Sequence, residues 1–230
     1  MKIGLPKSIV SSLIVGLLFS STTLAKTDFP EVTEDGLNKI KETKHSVVYA
    51  KDDVDLSVYD KVYLVDASIA FKKNWKRDQN RSYSHKVSDK DMERIRTDLA
   101  ELFKEVFTEQ LTAAGHELVD VAGDDVLIVR PAILNLDVNA PDTRSVGRSK
   151  TFVESAGEMT LYVELYDSVT NDLIVKAMDG QADRQSSTFQ WQTKGSNRQA
   201  AKKMLTDWAD RLSNALNDAR GSATTADEVE

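Results

Sequence analysis

A glycosidase needs two carboxyl groups roughly 5–10 Å apart across a sugar cleft, and this chain brings two local pairs of acids into view. Glu154 and Glu158 flank Gly157, and Asp137 and Asp142 bracket Asn139-Ala140-Pro141. Either pair would have to supply one proton donor and one base or nucleophile. A chain with 37 acids forms such pairs without any function, so no catalytic residue is expected. The oxygens of Asp137, Asn139 and Asp142 suit a calcium ion weakly, but the EF-hand ligand spacing and its glycine are missing.

"HELVD", residues 116–120, begins like the zinc-protease motif. That motif requires a second histidine four residues after the first, so that both imidazoles share a helical face; here Asp120 holds that place. His45, His85 and His116 are scattered and there is no cysteine to join them. Gly-x-Ser-x-Gly elbows and phosphate-cradling glycine loops are also missing. No metal and no cofactor is expected.

The remaining grouping is basic. In "AFKKNWKRDQNRSYSHK", residues 70–86, Lys72, Lys73, Lys76, Arg77, Arg81 and Lys86 surround Trp75 and are interrupted by one acid, Asp78. Charge runs are most often solvated loops. A tryptophan among arginines also supplies the anchors common in protein interfaces, and clustered guanidinium and ammonium groups bind phosphate. Arg144, Arg148 and Lys150 would extend the patch if the two loops meet. Bases on both sides of Trp75 favour a partner contact narrowly over an anion, and burial of Trp75 against the sheet would return the segment to a plain solvated loop.

The elements that must position these residues are legible in outline. After an irregular lead-in over residues 27–46, residues 47–50 read as a short strand. Val62 and Leu64 alternate, then Ile69 and Phe71; the slip in parity predicts a bulge near residues 66–68. A helix begins after Ser88, carries Met92, Ile95, Leu99, Leu102, Val106 and Phe107 on one stripe, and ends at Gly115. "VLIVRPAILNLDVN", residues 126–139, reads as a strand that Pro131 should confine to an edge or a bulge.

Residues 158–183 read as a hairpin. Met159, Leu161, Val163 and Leu165 point one way, and Asp167 and Asn171 shape the turn. A last helix spans about 197–219 with Ala201, Met204, Leu205, Trp208, Leu212 and Leu216 as its stripe, and Gly221 is expected to stop it. Trp208 is expected in the core. The fold class is therefore α+β: a mixed or antiparallel sheet with two amphipathic helices packed on one face.

The two ends and the composition set the context. Lys2 and Lys7 precede an apolar stretch over residues 9–18, and Thr23-Leu24-Ala25 offers a cleavage site. That is the layout of a signal peptide, too short to span a membrane. The domain division expected is a signal peptide at 1–25, one domain at 26–220, and a disordered acidic tail at 221–230. Cleavage near Ala25 would leave 28 basic residues against 37 acids, a formal charge of −9, which argues against nucleic acid as a partner. With no cysteine the fold stands on its core alone.

Taken together, "YDKVYLVDASIAFKKNWKRDQN", "DDVLIVRPAILNLDVN", "LYVELYDSVTNDLIVKA" and "MLTDWADRLSNAL" resemble a family of exported bacterial proteins known as domain of unknown function 3313. The resemblance runs over roughly residues 29–219. Many relatives look like lipoproteins; this chain has no cysteine to acylate. The resemblance implies no activity and no catalytic residues. The expectation is a non-enzymatic periplasmic binding or accessory protein of the cell envelope, with Lys72, Lys73, Trp75, Lys76, Arg77, Arg81, Arg144 and Arg148 facing a protein partner or an anionic envelope component. The alternative is a cell-wall or glycan hydrolase using paired carboxylates.

Overall fold

The computed structural model describes residues 29–82, 86–138, 151–153, 157–182, 190–192 and 194–227. The expected signal peptide, His85, Asp142, Arg144, Arg148, Lys150 and Glu154 lie outside the described residues. In chain order the elements are β1 (Asn38–Glu42), β2 (Ser46–Ala50), β3 (Lys61–Leu64), β4 (Ser68–Phe71), α1 (Trp75–Ser82) and α2 (Asp89–Ala113). There follow β5 (Glu117–Leu118), β6 (Val126–Val138), β7 (Thr151–Val153), β8 (Gly157–Asp167), β9 (Leu173–Ala182), β10 (Gln190–Gln192) and α3 (Lys194–Asp227).

The main sheet has the order β1-β2-β9-β8-β6-β3-β5, with β4 also lying along β6. β6 runs antiparallel to β8 and parallel to β3 and β4, so the sheet is mixed. β7 and β10 form a separate antiparallel pair. The fold is α+β, as the sequence predicts.

One face of the sheet carries Val62, Leu127, Val129, Ile133, Met159, Leu161 and Leu165 against Leu102, Phe103, Val106 and Phe107 of α2 and Leu205 and Trp208 of α3. Apolar residues that repeat every second position on a strand and every third or fourth on a helix can share one core only in this layered way. Ser88 caps α2 through a reciprocal capping box with Asp91, and Gly115, at φ 90°, turns the chain away at the other end. Trp208 is buried at 2% exposure, and its indole N–H donates to Asp179 Oδ2 at 2.7 Å.

The parity slip between Leu64 and Ile69 is a true bulge. Leu64 pairs with Val129 and Ser68 with Ala132, so β3–β4 advances one residue more than β6 between these points. A second irregularity follows in β6 itself, between Leu134 and Asp137, where Asn135 adopts φ 52°. In the hairpin turn, Asp167 Oδ1 accepts from the N–H groups of Val169 (2.9 Å) and Thr170 (2.7 Å), and Asn171 takes φ 57°. These are the roles expected of them.

Two expectations are corrected and one alternative is decided. Pro131 is at a bulge and not at an edge, because β6 has neighbours on both sides. It stands opposite the break between β3 and β4, where no ladder bond calls for the N–H that proline lacks. The lead-in contains β1, and Leu37 packs with Val47 and Tyr49 in a small cluster that Phe29, Leu173 and Met178 complete. Gly221 does not end α3, which continues to Asp227; with no positive φ at Gly221, nothing there breaks the helix.

Candidate functional site

The basic segment is not a loop. After β4 the chain reverses at Asn74, at φ 64°, and the Trp75 N–H donates to Lys72 O at 3.0 Å to open α1. Trp75 and Gln79, one turn apart, are the residues α1 buries. Trp75 is 3% exposed and stacks on Phe71 with ring centroids 4.4 Å apart. Its indole N–H donates to Val138 O at 3.3 Å. Trp75 therefore cannot anchor a partner: its apolar area and its one polar atom are already used inside the protein. That removes the reason for preferring a protein contact at this segment, and on the condition set by the sequence Trp75 itself returns to the bland, structural role; any binding must rest on the arrangement of the bases alone.

What α1 presents outward is a groove. Lys72, Lys76, Arg77 and Arg81 line it together with Phe71 and Trp75 at its floor, and Met92 and Arg96 of α2 form the facing wall. The Arg96 guanidinium lies 5.3 Å from the centre of the Phe71 ring, within cation–π range. Arg96 was not among the residues singled out from the sequence. The signal was its position one turn after Met92, at the start of the stripe on α2. Lys73 is exposed beside the groove but does not line it.

The cations differ in how far they are already paired. Lys72 sits between two carboxylates, 2.9 Å from Asp137 Oδ2 and 2.9 Å from Glu158 Oε1. Glu158 and then Asp137 hold its ammonium above the ordinary lysine value. Lys76 meets Asp89 at 2.7 Å, Arg77 meets its neighbour Asp78 at 3.1 Å, and Arg96 meets Glu93 at 3.2 Å. Arg81 and Lys73 form no ion pair among the described residues. Pairs as exposed as Arg77–Asp78 and Arg96–Glu93 are weak and exchange readily for another anion.

The carboxylates regroup. Asp137 and Glu158 are register partners across β6 and β8, a pairing that sequence neighbourhood does not reveal. They form an ion triad with Lys72. The partners expected for them, Asp142 and Glu154, lie outside the described residues. "HELVD" is split between the α2 terminus and β5, and His116 is buried at 2% exposure. Among the described residues no three His, Asp or Glu side chains converge as a metal ion would require. Among the same residues, no helix is long and apolar enough to cross a membrane.

A family model described as protein of unknown function (DUF3313) matches residues 31–212. The chain belongs to this family. The DUF3313 match takes in both the groove and the triad. Comparison with curated proteins found no match. Among solved structures, the PelC dodecamer from Paraburkholderia phytofirmans is similar at 12% identity and a TM-score of 0.38, covering 73% of this chain and 97% of that one. A Xanthomonas campestris protein of a different family of unknown function is similar at 9% identity and a TM-score of 0.43, covering 76% and 94%. A minor lipoprotein from Acinetobacter baumannii is similar at 10% identity and a TM-score of 0.35, covering 71% and 96%. Likenesses this weak carry no inference about the role of the DUF3313 chain.

Proposed function

We propose that this DUF3313 chain is a non-enzymatic accessory protein of the bacterial cell envelope that holds a phosphate-bearing envelope component in the groove between α1 and α2. The observation that carries this reading is the gathering of Arg77, Arg81 and Arg96 on one open groove of an acidic chain, with Arg81 free of any carboxylate among the described residues. Guanidinium groups donate paired hydrogen bonds to phosphate oxygens, and the aromatic floor gives them a fixed base. The charged, apolar and small-residue layout of residues 2–25 supports export with cleavage near Ala25. The engagement of both Asp137 and Glu158 by Lys72 supports this reading over the hydrolase alternative.

The test uses the mature chain with vesicles of phosphatidylglycerol, vesicles of phosphatidylcholine, and free pyrophosphate. Co-flotation with the anionic vesicles alone, or competition by pyrophosphate, supports the reading. Binding should weaken steeply with salt, since such attraction is screened over about 10 Å at 0.1 M. Arg77→Glu combined with Arg81→Glu should abolish it without altering the unfolding transition. Equal binding to both vesicle types, or no loss in the double variant, overturns it.

A further inference from the structure

Away from the groove, a cavity of about 140 Å³ opens between α2, the first turns of α3 and the paired ends of β6 and β8. Leu102, Leu136, Met159 and Met204 line it and are buried. An engineered cavity of about 150 Å³ with a similar apolar lining, in another protein, stays dry and takes up benzene. Two methionines add a wall that adapts to the shape of what enters. The space therefore suits an apolar body of roughly that size.

Two further observations narrow the ligand. Asn197, which lines the same cavity, has its Oδ1 buried with no hydrogen-bond partner among the described residues. A buried acceptor left unpaired is unfavourable, and a donor carried in by a ligand would relieve it. The charges at the rim are already paired. Arg198 meets Glu105 at 2.8 Å, Arg94 meets Asp91 at 3.3 Å, and Asp137 and Glu158 share Lys72. Among the described residues, a charged head group would have to displace one of these pairs to find a counter-charge, which a neutral ligand need not do.

We propose that this cavity is a binding site for a neutral amphiphile: an apolar ring or short chain bearing a hydroxyl that donates to Asn197 Oδ1. The site is separate from the anion groove, and neither proposal depends on the other. A hydroxyl satisfies the buried acceptor, and the apolar body fills the space among the leucines and methionines.

The probes are phenol, benzene and hexanoate, titrated into the mature chain and followed by calorimetry and by the methionine methyl signals in NMR. Phenol should bind about three- to tenfold more tightly than benzene, the range expected for one hydrogen bond, and hexanoate should bind more weakly than either. Asn197→Leu should erase the preference for phenol while keeping benzene binding. Ala201→Phe, which fills the cavity from α3, should abolish both. If Ala201→Phe fails to fold, nuclear Overhauser contacts from bound phenol to the Met159 and Met204 methyls take its place. The proposal is overturned if neither phenol nor benzene binds, if hexanoate binds best, if the phenol preference survives in Asn197→Leu, or if bound phenol makes no contact with those methyls.

Discussion

Mild acid should destabilise this protein through His116. His116 follows Gly115 where α2 ends, its N–H donates to Leu111 O at 3.0 Å, and the residue is 2% exposed. Burial, with the Arg220 guanidinium of α3 nearby, pushes its imidazole below the usual histidine value of 6.5; the Ser213 backbone and Asp60 pull upward and do not prevail. The folded protein therefore keeps His116 neutral at pH values where the unfolded chain takes up a proton. Wherever the unfolded state binds more protons, stability rises with pH. Stability should accordingly fall as pH drops through 6.5, and go on falling until the folded-state value is reached. Each pH unit well inside that window costs up to about 1.4 kcal/mol, so going from pH 7.5 to 5.5 costs up to about 1.4 kcal/mol in total. Carboxylates, with ordinary values near 4, titrate mostly below this range. Urea denaturation followed by circular dichroism at half-unit pH steps measures the slope. His116→Leu should flatten it whatever that variant's absolute stability. A flat profile in the wild type, or an unchanged slope in His116→Leu, would refute the reasoning.

Three further outcomes are expected. Trp208→Ala should cost about 3–5 kcal/mol in urea unfolding, because it empties a site at 2% exposure and strips Asp179 of an indole donor; a loss below about 1 kcal/mol would contradict the packing. Trp75→Ala should also cost about 3–5 kcal/mol, against the much smaller effect of changing a surface anchor; unaltered stability would mean that the indole does not hold α1 to β4. N-terminal sequencing of the soluble periplasmic fraction should begin at Lys26, and an intact Met1 recovered from membrane pellets would disprove cleavage near Ala25.

The sheet and the two long helices were legible because each writes a long periodic pattern. Met159, Leu161, Val163 and Leu165 alternate over the length of β8, and the α2 stripe persists from Met92 to Leu111. Their boundaries were legible where a side chain bonds the backbone, as at Ser88 and Asp167. α1 was not, because among its described side chains it buries Trp75 and Gln79 alone, a single helical turn, amid charges that also suit a loop. β1 was hidden in the same way: Lys39, Lys41 and Glu42 blur any alternation on an edge strand. The triad was out of reach altogether. Lys72, Asp137 and Glu158 come from three strands' ends or extensions, and their meeting depends on the register of β6 with β8 and on the bulge at Asn135.

The burial of Trp75 alters the logic of the basic segment rather than ending it. A surface tryptophan would have made the lysines and arginines a frame around an anchor, and specificity would then lie in shape. With the indole stacked on Phe71 and bonded to Val138 O, α1 is pinned to the sheet through Trp75. Arg77 and Arg81 are thereby carried on a short helix of fixed position, while Arg96 is held over Phe71 from the neighbouring α2. Guanidiniums positioned in this way lose less freedom on binding than the same groups on a mobile loop. The tryptophan then contributes to recognition from inside the protein, and Trp75→Ala should weaken anion binding only as far as it loosens α1. Trp75→Phe separates the two effects: it retains an aromatic ring to stack on Phe71, loses the bond to Val138 O, and should keep anion binding close to that of the wild type. Loss of binding in Trp75→Phe with α1 still folded would place the indole in direct contact with the ligand and refute this account of the groove.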